Sequence, residues 1–76
     1  MIHARLDYMR IQDPENKIPQ DEPVFLIRGQ DKIGATVVFI YGLLNQLVGG
    51  SKEITDSALI QSDAMGRWSK KKLADM

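Results

Sequence analysis

The chain has 76 residues, no cysteine, and ten basic side chains against ten acidic ones. A chain this short makes one small domain, 1–76, with no disulfide or thiolate metal site, and small cores of this kind gain stability by oligomerising. Charge neutrality argues against a general nucleic-acid binder, whose affinity comes mostly from neutralising phosphates.

The single histidine, His3, removes the usual zinc and catalytic-triad arrangements. The opening "MIHARLDYMR" lacks the apolar run of a signal peptide, so a cytoplasmic protein is the expectation. Charge is unevenly spread. Residues 1–32 hold five basic and six acidic groups, residues 33–50 hold none, and residues 51–76 hold five and four.

In "IHARLDYMRI", Ile2, Ala4, Leu6 and Tyr8 alternate with His3, Arg5 and Asp7, which suits a strand. Ile2, Leu6 and Met9 also fit a helical stripe, and the strand is the preferred reading. Three prolines in "QDPENKIPQDEP" make a connection without regular structure, so residues 1–22 form a looser N-terminal segment. "VFLIR" reads as a strand with both faces covered, and Pro23 stands where a strand can begin.

"KIGATVVFIYGLLNQLVGG" reads as a helix with Asp31 as N-cap and Gly49 just past its end. Ile33, Val37, Ile40, Leu44 and Leu47 follow helical spacing and are the expected core face. Thr36, Phe39, Leu43 and Gln46 then face away. Phe39 and Leu43 form an apolar pair one turn apart, expected to be either a self-association surface or a face covered by the terminal segments. The run is too short to span a membrane easily. "SKEITDSALIQSDAMGRWSKKKLADM" holds a second helix capped by Ser51 or Thr55. Ile54, Ala58, Met65 and Trp68 share one side of it, and residues 70–76 make a fraying tail.

The joint "RGQDK" is the best site candidate. Backbone N–H groups at a helix start lack internal partners and attract anions. Arg28 offers a bidentate contact, Lys32 a point charge, and Gln30 and Asp31 suit a base or ribose hydroxyls. The bland alternative is a turn with a cap and a surface arginine, and "RGQDKIG" has neither glycine-rich nucleotide pattern. In "RWSKKK", Trp68 could stack a base while Arg67 and Lys70 hold phosphate; a packed tryptophan with a solvated tail is the simpler alternative. No nucleophile stands beside a base, no metal cage is visible, and no cofactor is expected. The chain reads as a binder and not an enzyme.

The segment "DEPVFLIRGQDKIGATVVFIYGLL", followed by "DAMGRWSKKKLAD", resembles a group of small bacteriophage and bacterial proteins. They are similar in an Asp-Glu-Pro-Val-Phe-Leu core, an Arg-x-Gln-Asp joint, a helix and a late tryptophan with basic neighbours. The resemblance covers roughly residues 19–76. It implies a phage or mobile-element origin and a bacterial-host cytoplasm, and it supplies no activity and no catalytic residues. Positions corresponding to Phe39 and Leu43 are more polar in that group, so this chain departs there. Small phage proteins include sponges that sequester nucleotide-derived immune signals, an analogy of size and setting only.

The expectation is an α+β domain, a small sheet with two helices packed on it, oligomeric. Its function would be non-enzymatic sequestration of a nucleotide-like signal through Arg28, Gln30, Asp31, Lys32, Arg67, Trp68 and Lys70. The alternatives are a module that inhibits a host protein through Phe39 and Leu43, and a minor nucleic-acid binder using "RWSKKK".

Overall fold

The computed structural model describes residues 1–3 and 13–75. Its elements, in chain order, are β1 (Ile2–His3), β2 (Pro23–Val24), α1 (Gly34–Leu47) and α2 (Lys52–Arg67). β1 and β2 pair in parallel, Ile2 opposite Pro23 and His3 opposite Val24. The rest of the expected N-terminal strand, Tyr8 included, lies outside the described residues.

Among the described residues the two helices pack on each other and the strand pairing is small, a mostly helical arrangement in place of the expected helices on a sheet. "VFLIR" is correspondingly shorter as a strand than its pattern suggests. Among the described residues Pro23 and Val24 are the ones that pair, and Phe25 is 70% exposed. Ile27 turns inward instead: its Cγ2 would lie 2.9 Å from a Cβ added at Gly34.

α1 begins after two successive turns. The Asp31 N–H donates to the Arg28 carbonyl at 3.1 Å, and the Gly34 N–H donates to the Asp31 carbonyl at 3.0 Å. Asp31 Oδ1 accepts from the Ile33 N–H at 3.0 Å. Asp31 therefore closes the turn before the helix, while the N-cap position falls to Ile33, whose side chain makes no capping hydrogen bond. This shifts the expected cap by two residues. At the other end, Gly49 has φ +79°, the left-handed conformation that glycine adopts without a Cβ clash. Its N–H donates to the Gln46 carbonyl at 3.1 Å, and the Gly50 N–H donates to the Asn45 carbonyl at 2.8 Å. These two bonds make a Schellman ending at the predicted glycine.

α2 is capped as one of the two sequence options proposed. Ser51 Oγ accepts from the Ile54 N–H at 3.2 Å, satisfying one of the orphan donors of the first turn. The helix runs through Gly66 and ends at Arg67. Lys52 pairs with Asp56 one turn on, at 2.7 Å. That hydrogen bond and the Asp56 charge raise the Lys52 ammonium above its ordinary pKa.

The contact between the helices reverses the expected face of α1. Gly34 and Gly42 are its buried residues, with Ala35, Val38 and Asn45 half-buried beside them. On α2 the buried stripe is Thr55, Ala58, Ser62 and Met65. Ala58 and Met65 match expectation, whereas Ile54 and Trp68 are exposed. The expected core residues of α1 (Ile33, Val37, Ile40, Leu44 and Leu47) all face outward, Leu47 at 80% exposure.

The reason is steric. A Cβ at Gly42 would lie 3.3 Å from Ala58 Cβ and 3.2 Å from Leu59 Cδ2. Helix backbones this close need small residues between them. The buried polar groups in the seam are satisfied. Asn45 Nδ2 donates to Thr55 Oγ1 at 3.0 Å and to the Ser51 carbonyl at 3.0 Å. Ser62 Oγ donates to the Leu59 carbonyl at 2.9 Å, so none of these groups bears an uncompensated desolvation cost.

The tail expected to fray from residue 70 returns to the joint. The Lys72 N–H donates to the Gln30 carbonyl at 2.8 Å, and the Lys32 N–H donates to the Lys72 carbonyl at 3.0 Å. These bonds make a parallel bridge between Asp31 and Lys72. Among the described residues, no helix is long and apolar enough to cross a membrane.

Candidate functional site

The joint between β2 and α1 meets the C-terminal end of α2. Gln61, Ala64, Met65 and Trp68 recur at helical spacing along one side of α2 and its cap. With Arg28, Gly29 and Gln30 they line an open groove of about 260 Å³. Trp68 is the C-cap, with φ −65° and ψ 122°. The chain therefore turns extended at this residue, and Trp68 is 55% exposed. Gly29 lies against it: a Cβ there would stand 3.6 Å from Trp68 Cβ and 3.7 Å from Met65 Cα.

Of the residues nominated from sequence, the fold brings together Arg28, Gln30 and Trp68. Among the described residues, no carboxylate pairs with the Arg28 guanidinium. Its donors therefore remain available to an acceptor in the groove. The Gln30 carbonyl is taken by Lys72, which fixes the backbone that carries the Gln30 side chain.

The other nominated residues stand elsewhere. Asp31 directs Oδ1 onto the Ile33 N–H, so it occupies the place an anion would take at the start of α1. Asp31 and Lys32 do not line the groove. Arg67 Nε donates to Asp63 Oδ2 at 3.0 Å and lines a different depression of about 550 Å³ with Ala35, Phe39, Leu59 and Ser62. Lys70 and Leu43 line neither depression. Arg67 and Trp68, adjacent in sequence, thus serve opposite sides of α2. The basic run is divided as well, with Lys72 Nζ 3.1 Å from Asp75 Oδ2. This division argues against a continuous phosphate-binding strip at "RWSKKK".

Sequence reasoning missed two kinds of residue. Gln61 and Ala64 sit seven and four positions before Trp68, a helical spacing that could have nominated them once Trp68 was chosen. Lys71 gave no such signal. Its ammonium donates to the Gly29 carbonyl at 2.7 Å and also to the Met65 carbonyl. It fixes a positive charge behind the groove wall and complements the C-terminal end of the α2 dipole.

The groove offers a cation, two side-chain amides and an aromatic face, which is a recognition set. No nucleophile or general base is among its lining side chains. Among the described residues, no three His, Cys, Asp or Glu side chains converge to hold a metal ion. No family model matches the chain, and no curated protein or solved structure matches it either.

Proposed function

We propose that this chain is a non-enzymatic binding protein that takes a nucleotide-like ligand in the Arg28–Trp68 groove. The observation that carries the reading is the convergence of Arg28, Gln30 and Trp68, three residues chosen for their chemistry, on one open depression. The indole stacks a base, a contact that tolerates any base because each has a π face. The guanidinium takes a phosphate bidentately, and the amides of Gln30 and Gln61 address the edge of the base. The volume is just under the roughly 300–1,000 Å³ of drug-sized pockets. That size suits one base with its phosphate better than a whole dinucleotide. The resemblance to small phage proteins gives the reading its biological form: a sponge that sequesters a nucleotide-derived defence signal in the cytoplasm of a bacterial host.

A thermal-shift panel of nucleoside monophosphates, cyclic dinucleotides and ADP-ribose-type ligands tests the reading. At least one ligand raises the melting temperature of the wild-type chain, and Arg28→Ala abolishes the rise. A panel without any rise contradicts it.

A second reading rests on the other depression. Phe39 and Leu59 form apolar walls there, with the Arg67–Asp63 pair at the edge. Such a surface suits an apolar side chain presented by a host protein that the chain inhibits. Under this reading Phe39→Glu relieves a growth defect caused by expressing the chain in a bacterial host, and Arg28→Ala does not. The opposite pattern returns the function to the groove.

A further inference from the structure

The outward face of α1 is the largest feature that the ligand groove leaves unused. Ile33, Val37, Ile40, Leu43, Leu44, Leu47 and Val48 are all exposed, and no charged residue interrupts residues 33–50. Ordinarily a helix hides its large apolar residues and shows its small and polar ones. α1 does the opposite, because its glycine-bearing side is consumed by α2.

We infer that this face is the seat of a second copy of the same chain, paired α1 to α1 about a twofold axis. Three observations commit it to that occupant. The first is area. The chain exposes 6281 Å², whereas a folded monomer of 8.6 kDa exposes about 4,700 Å². The difference, roughly 1,600 Å², is summed over the whole chain, and the exposed apolar residues of α1 contribute to it; it is of the size that each subunit of an obligate dimer buries, about 1,000–2,500 Å².

The second is the core. Among the described residues the buried apolar side chains are Ala58 and Met65, and no large side chain is fully buried. An interior this small among the described residues gains stability from a cover, and a second copy is the one cover made alongside every chain. The third is chemistry. Helices that lie on lipid surfaces carry lysine and arginine on a polar face. α1 carries none, and its small-residue side is closed by α2. An uncharged, self-complementary face is what an isologous contact requires.

In an antiparallel twofold pairing that overlaps the two helices along their whole length, the midpoint of the helix lies on the axis. Ile40, near the middle of Gly34–Leu47, then meets its own counterpart. Phe39 sits at the margin of this face, turned toward the depression shared with α2. The contact is therefore centred on Ile40 and Leu44, one residue, or about 100° around the helix, from the Phe39–Leu43 pair expected from sequence. The Arg28–Trp68 groove lies on the α2 side and stays open, so dimerisation and ligand binding stand or fall separately.

The absence of cysteine makes the test direct. Sedimentation of the wild-type chain gives a dimer that dissociates on dilution. Under oxidation Ile40→Cys crosslinks two copies, whereas Ser57→Cys, on the exposed side of α2, does not. Leu44→Glu raises the dissociation constant by on the order of 100-fold. A wild-type chain that sediments as a monomer at every concentration overturns the inference, since the face is then covered within the chain or by a different partner. So does Ile40→Cys crosslinking no better than Ser57→Cys.

Discussion

The Lys71 ammonium donates to the Gly29 carbonyl at 2.7 Å across 42 residues of sequence. It shares its remaining donors with the Met65 carbonyl at the end of α2. One side chain thus ties the joint before α1 to the end of α2, the two walls of the groove. Replacing Lys71 with methionine keeps the aliphatic stem and removes the cation. It should lower stability by about 1 kcal/mol, the scale of an exposed charge-assisted hydrogen bond at a helix C-terminus. A urea titration would read this as a lower midpoint with an unchanged slope. An unchanged midpoint would mean that the tail, and not its ammonium, holds the walls together.

Gly34 and Gly42 separate two reasons for a glycine in the seam. At Gly34 an added Cβ meets the Arg28 carbonyl oxygen at 2.7 Å, a backbone atom that cannot step aside. Gly34→Ala should cost about 1–3 kcal/mol, the usual range for overpacking. At Gly42 an added Cβ meets Leu59 Cδ2 at 3.2 Å, which can swing aside, and Ala58 Cβ at 3.3 Å, which moves only with its helix. There the gain in helix propensity, up to about 1 kcal/mol, offsets part of the crowding, and Gly42→Ala costs less than Gly34→Ala. Thermal melts of the two variants side by side would show the difference; equal losses would contradict the seam geometry.

Gly49→Ala addresses the turn between the helices. Nothing lies within 4 Å of a Cβ at this position, yet φ is +79°. Any loss is then backbone strain alone, about 1 kcal/mol. Ser51→Ala, two residues on, removes the acceptor for the Ile54 N–H and should also cost about 1 kcal/mol. Denaturant midpoints of both single variants check the two values, and a neutral Gly49→Ala would place the turn in a different conformation.

Both helices were legible in the sequence, and so were their ends at Ser51 and Gly49, because capping is local chemistry. The orientation of α1 was not legible. Its large apolar residues occupy most of its circumference, so periodicity alone could not distinguish the packed side. What decides the matter is the distance at which two backbones can meet, and that depends on Gly42 facing Ala58, a relationship between residues on different helices. "VFLIR" was legible at its start, where Pro23 and Val24 pair with β1 among the described residues, whereas the exposure of Phe25 was not. The groove was half legible. Arg28, Gln30 and Trp68 are legible from their chemistry and Gln61 from its helical spacing to Trp68, whereas Lys71 enters only through tertiary placement.

Trp68 is the only tryptophan in the chain, so its fluorescence reports from inside the proposed site. Titration of the wild-type chain with nucleotides that bear a base and a phosphate, cyclic dinucleotides among them, should quench that emission saturably for at least one compound. Arg28→Ala should remove the saturable component without changing the starting spectrum. Emission that stays constant across the whole panel to millimolar concentration, or quenching that Arg28→Ala leaves intact, would contradict the assignment of the Arg28–Trp68 groove as the ligand site.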